Sequence, residues 1–106
     1  MKGFFSHSTA DYNTEFEDIC IFKIKELIPD IQIINPKDIL IPIYIKVNQL
    51  IKLENEVYFP IINKCDILIA APCWNRFNLR GRFSEGVRLE IEYALTQNKK
   101  VYELRK

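Results

Sequence analysis

The sequence predicts an α/β fold: one domain over residues 1–106, with a small open sheet of parallel strands packed between helices in three layers. Three observations carry this. Short β-branched runs alternate with helix-period segments, the pattern of βαβ units. One run, Asp66–Ala71, is apolar without interruption after its opening acid, as a central parallel strand buried on both faces should be. The chain has 106 residues, 48% of them hydrophobic, which is enough for a single packed core.

The elements follow in order. Lys2–Phe5 is the first strand and Ser6–Asn13 a polar loop. Thr14 and Glu17 form a capping box that starts a helix. Its apolar positions are Phe16, Ile19, Cys20, Phe22, Ile24 and Leu27, and it closes before Pro29. Ile31–Ile34 is a second strand, ended by Asn35-Pro36. Ile39–Val47 alternates apolar residues and stays open between a strand, an irregular insertion and part of a helix. Gln49–Cys65 reads as a helix disturbed by Pro60, since proline removes a donor and clashes one turn back. Asp66–Ala71 is the central strand, Pro72–Phe83 a long loop, Ser84–Gln97 a helix and Lys100–Leu104 the last strand. The sheet therefore has about four to five strands in an order such as 2-1-3-4, joined by right-handed crossovers. Ligands of such sheets bind beyond the carboxyl ends of the strands, where Ser6–Asn13 and Pro72–Phe83 lie.

Composition excludes several classes. The apolar fraction rules out disorder, and three Gly with five Pro rule out a collagenous chain. The richest apolar stretch, Asp38 to Leu53, is broken by Pro42, Lys46, Asn48, Gln49 and Lys52, so no membrane span is expected. Lys2 is followed too soon by Ser6, His7 and Asp11 for a secretory signal, which makes the cytoplasm the expected location. Cys20, Cys65 and Cys73 lack ligand spacing and are odd in number, so reduced, packed thiols are expected, with neither metal nor cofactor. Net charge is +1, but all five arginines (Arg76, Arg80, Arg82, Arg88 and Arg105) fall in the last third. That asymmetry suggests a local anion site rather than a nucleic-acid surface.

The last helix concentrates the candidates. Val87, Ile91, Ala94 and Leu95 form the stripe expected to face the sheet, and Glu90 lies on its shoulder, roughly 85° from the centre. A carboxylate there can attack an anomeric carbon or stabilise an oxocarbenium-like charge; it can also simply pair with Arg88 or Arg82. Ser84 caps this helix, and with Arg80 and Arg82 just before it would clamp a phosphate, or else the segment is a basic loop with a capped helix. Ser6, His7 and Ser8 follow the first strand, placed for substrate contacts; a lone histidine can equally be structural. Trp74 can stack on a base or pack. Leu89 and Tyr93, opposite the core stripe, need cover, which predicts a homo-oligomer.

Cys65-Asp66-Ile67-Leu68-Ile69-Ala70-Ala71, Ser84-Glu85-Gly86-Val87-Arg88-Leu89-Glu90 and Lys99-Lys100-Val101 together resemble the nucleoside 2-deoxyribosyltransferase family, which includes nucleotide N-glycosidases. The resemblance implies a flavodoxin-like fold and a nucleoside or nucleotide ligand. It makes Glu90 the catalytic glutamate, Ser84 a phosphate or sugar contact and Gly86 a site of close ligand approach. The opening Phe4-Phe5-Ser6-His7-Ser8-Thr9-Ala10-Asp11 is similar to that of TIR domains, whose enzymatic members cleave NAD; Ser84 and Glu90 fit their helix pattern as well. Both resemblances imply an N-glycosidic bond. The alternative class is a non-catalytic domain binding a nucleotide or a protein.

Overall fold

Four strands, β1 (Lys2–Ser6), β2 (Gln32–Ile34), β3 (Ile67–Ala70) and β4 (Lys100–Glu103), pair in parallel in the order β2-β1-β3-β4, the order the sequence suggests. The computed structural model describes residues 1–39 and 47–104, so the reading of Ile39–Val47 lies almost wholly outside the described residues. In the central pair Phe4 aligns with Leu68, Phe5 with Ile69 and Ser6 with Ala70. Helices α1 (Glu15–Leu27), α2 (Val47–Leu53), α3 (Phe59–Asn63) and α4 (Glu85–Thr96) supply the crossovers. The result is a three-layer, flavodoxin-like α/β/α sandwich.

The alternation of β1 builds two cores, because successive side chains leave opposite faces of a strand. Phe4 joins Tyr58, Ile62, Leu68, Val87 and Ala94 on the face covered by α3 and α4. Phe5 joins Phe16, Cys20, Ile24, Ile31 and Ile69 under α1. Gly3 sits where β1 is squeezed by isoleucines. A Cβ there would lie 2.6 Å from Ile31 Cδ1, 3.2 Å from Ile69 Cδ1 and 3.3 Å from Ile67 Cγ1.

Pro60 disturbs its helix in a specific way. Between α2 and α3 the chain makes a π-helical turn, Glu54–Tyr58, in which the Phe59 N–H bonds Glu54 O five residues back. Proline lacks the donor that a regular ladder needs, and the wider turn absorbs the mismatch without ending the helix.

Three expected packing assignments change. In α4, Leu95 is 57% exposed, and the buried positions are Val87, Glu90 and Ala94. Glu90 can take that place because polar partners meet it in the core. In α1 the buried arc runs through Phe16, Glu17, Cys20 and Ile24, which turns Ile19 and Phe22 outwards and leaves Leu27 exposed in the last turn. Tyr93 does not wait for another subunit: its ring stacks on Phe59 of α3 at 4.2 Å, and Leu89 is half-buried. The apolar face that motivated an oligomer is thus partly covered from within the chain.

Candidate functional site

The carboxyl edge of β1 presents Ser6 and His7 to opposite sides of the sheet. Ser6, wholly buried, donates its hydroxyl to Glu90 Oε1 at 2.6 Å. Ser84 caps α4 by accepting from the Val87 N–H, which fixes the first turn and sets Glu90 against the end of β1. Facing Glu90 from the π-helical turn is Glu54, also buried, with its carboxyl hydrogen-bonded to that of Glu90. Tyr58, from the same turn, completes the group; its hydroxyl and Glu54 Oε1 are buried polar atoms with no hydrogen-bond partner among the described residues.

Electrostatics follow from burial. Desolvation, and then the hydrogen bond and charge of Glu90, push the Glu54 carboxyl well above the usual range. Burial also raises Glu90, against the opposing pull of hydrogen bonds from Glu54 and Ser6. The phenols of Tyr12 and Tyr58 are pushed up first by burial; after it come Tyr58 and then the acids for Tyr12, and Glu90 and Glu54 for Tyr58, so both stay neutral. A buried carboxylate held by a hydroxyl and an acid is oriented and poorly solvated. Those are the properties of a nucleophile or of a stabiliser of developing positive charge.

The other side of β1 is a separate network. His7 Nδ1 bonds Phe5 O at 3.0 Å and Nε2 meets Glu17 Oε2 at 2.6 Å, while the ring stacks on Phe5 at 3.9 Å. Both ring nitrogens are taken up by acceptors of the chain itself, which fits the structural reading of His7. Ser8, buried, caps the short turn Thr9–Asp11 by accepting from the Ala10 N–H. Asp11 accepts from the Trp74 N–H, the Asn75 N–H and Asn75 Nδ2, tying the loop after β1 to the loop after β3.

The remaining candidates do not assemble into a clamp. Arg80 donates to Trp74 O and lies over the Trp74 indole at 4.5 Å, while that ring also stacks on Phe16 at 5.8 Å. Arg82 and Arg88 are exposed, so neither pairs with buried Glu90. Gly86 meets Glu54: a Cβ there would stand 3.5 Å from Glu54 Oε2. Among the described residues no three His, Cys, Asp or Glu side chains converge as metal ligands. The structure thus joins Glu90 to Ser6 and leaves His7, Ser8, Trp74, Arg80 and Arg82 elsewhere.

Sequence reasoning missed Glu54 and Tyr58, and read Asp11 only as the last residue of the TIR-like opening. Glu54 had one usable signal, an acid six residues ahead of a helix-disturbing proline. Tyr58 had none, because the groups it meets, Phe4 and Glu90, lie far away in the chain; the task of Asp11 was hidden because Trp74 and Asn75 lie equally far.

Comparison with family models and with curated proteins returns no match. Among solved structures, the chain is similar to a 2-desoxiribosyltransferase from Leishmania mexicana, with TM-score 0.58 and 18% identity. The match covers 98% of this chain and 64% of that one, so the chain spans less than two thirds of its neighbour's length. At that identity the likeness is one of fold, and the fold it establishes is the deoxyribosyltransferase-like α/β architecture.

Proposed function

We propose that this chain cleaves or exchanges the N-glycosidic bond of a nucleoside or nucleotide, with Glu90 as the group that meets the anomeric carbon. One observation carries the reading: Glu90 is buried at the carboxyl edge of β1, held by the Ser6 hydroxyl at 2.6 Å, and paired with no basic side chain among the described residues. The fold likeness to a 2-desoxiribosyltransferase supports it.

In this reading the Glu90 carboxylate attacks the anomeric carbon as the carbon–nitrogen bond breaks. The base leaves with the bonding electron pair and takes up a proton. Water then cleaves the glycosyl ester for hydrolysis, or a second base does so for exchange. Ser6 fixes which carboxylate oxygen faces the ligand.

The test is release of free base from a panel of nucleosides, nucleotides and NAD. Wild type is expected to release base from at least one compound, and Glu90→Gln to lower the rate at least ~1000-fold. Nicotinamide released from NAD alone would redirect the substrate to that dinucleotide. No release from any compound, with ligand binding intact in Glu90→Gln, would sink the enzymatic reading in favour of a binding domain. Adding a free base as acceptor separates exchange from hydrolysis.

A further inference from the structure

Glu54 and Glu90 are two buried carboxyl groups in hydrogen-bond contact, and no lysine, arginine or histidine bonds either of them among the described residues. Two such groups without a counter-charge hold one proton between them. Hydrogen-bond accounting says where it resides. Glu90 Oε1 accepts the Ser6 hydroxyl, as an anion requires. Glu54 Oε1 is buried with no donor among the described residues. The carbonyl-like oxygen of a neutral acid bears that at far lower cost than an anion does.

We propose that Glu54 is a positioning residue, a buried carboxylic acid whose hydroxyl donates to Glu90 and keeps Glu90 the ionised, oriented member of the pair. The role rests on the reading of Glu90 given above. Local structure provides for it twice. The π-helical turn at Glu54–Tyr58 brings Glu54 to α4, and Gly86 leaves its Oε2 room against the first turn of that helix. Among the described residues, the other titratable groups around the pair are Tyr12, from the segment after β1, and Tyr58; Glu17 acts on Tyr12 from the far side of the strand. Both phenols are neutral and supply no counter-charge.

Glu54→Gln and Glu54→Leu test this in the intact chain, through kcat and KM against pH and through melting temperature against pH. The glutamine amide can donate to Glu90 from the same place, so Glu54→Gln should keep kcat within ~10-fold of wild type and lose the alkaline fall in rate. Glu54→Leu removes the donor and should lower kcat ~100-fold with little change in KM. The second readout needs no activity. A carboxyl raised in the folded state gives stability that is full below its ordinary value of 4.5 and is lost as pH rises towards its folded-state value. The melting temperature of Glu54→Gln relative to wild type should therefore climb between about pH 5 and about pH 9. A flat difference, or a Glu54→Gln enzyme as slow as Glu54→Leu, overturns the proposal. A climb in a protein that releases no base upholds the protonated pair and removes only the glycosidic reading.

Discussion

Glu17 shows how much one buried side chain organises. Its side chain is fully enclosed, and its carboxylate receives His7 at 2.6 Å, Lys37 Nζ at 2.8 Å and the Asn13 N–H at 3.1 Å. Burial pushes this carboxyl up, but the hydrogen bonds from Lys37, His7 and Asn13 outweigh it and hold the group below its ordinary value of 4.5. A lowered carboxyl contributes stability above its unfolded-state value and loses it as pH falls through the folded one. Glu17→Ala should cost about 3 kcal/mol in urea unfolding at neutral pH, since His7 would keep a buried nitrogen without its partner. Glu17→Gln should flatten the acid loss of stability below about pH 4.5. Half of this residue was legible in the sequence. The capping box places Thr14 and Glu17 at the start of α1, and Thr14 Oγ1 does accept from the Glu17 N–H. Its second task was hidden, because Lys37 lies 20 residues away, beyond a strand and the Asn35-Pro36 turn, and no local pattern pairs the two.

Among the elements, the helix around Pro60 is the one whose irregularity matters. The sequence discloses that Pro60 disturbs it, but not how, since a kink, a break and a π turn all satisfy a missing donor. The structure shows a π turn, and it is from this turn that Glu54 meets Glu90 of α4. Pro60→Ala restores the donor and lets the ladder relax towards regular spacing, which would rotate Glu54 away from Glu90. The expected outcome is a melting temperature at or above that of wild type with base release lowered about 10-fold; an unchanged rate would show that the turn does not depend on the proline. In α4 the apolar pattern was legible and its phase was not. Leu95 outranks Glu90 on any hydrophobicity scale, yet Glu90 is the buried one, because Ser6 and Glu54 satisfy it.

At the scale of the molecule, the parallel sheet and its order were legible because alternation, a continuous apolar strand and right-handed crossovers leave few other arrangements. The convergence of groups on Glu90 was only half legible, since it depends on residues from β1, the π turn and α4 meeting at one point. The core under α1 depends on the close fit at Gly3, where Ile31, Ile67 and Ile69 meet. Gly3→Ala should destabilise the whole fold by about 1–3 kcal/mol in a single transition, read by circular dichroism. The alternation of β1 has a consequence for how the chain avoids misfolding. Ser6 serves the acid pair on one face and His7 serves Glu17 on the other. Phe4 and Phe5 are both apolar, so hydrophobicity alone does not set which of them faces which core. A slipped strand, however, would set the imidazole against Glu90 and leave Glu17 and Lys37 with a short hydroxyl, breaking the native polar pairing on both sides. The polar end of β1 thus acts as a check on register that its aromatic residues cannot provide.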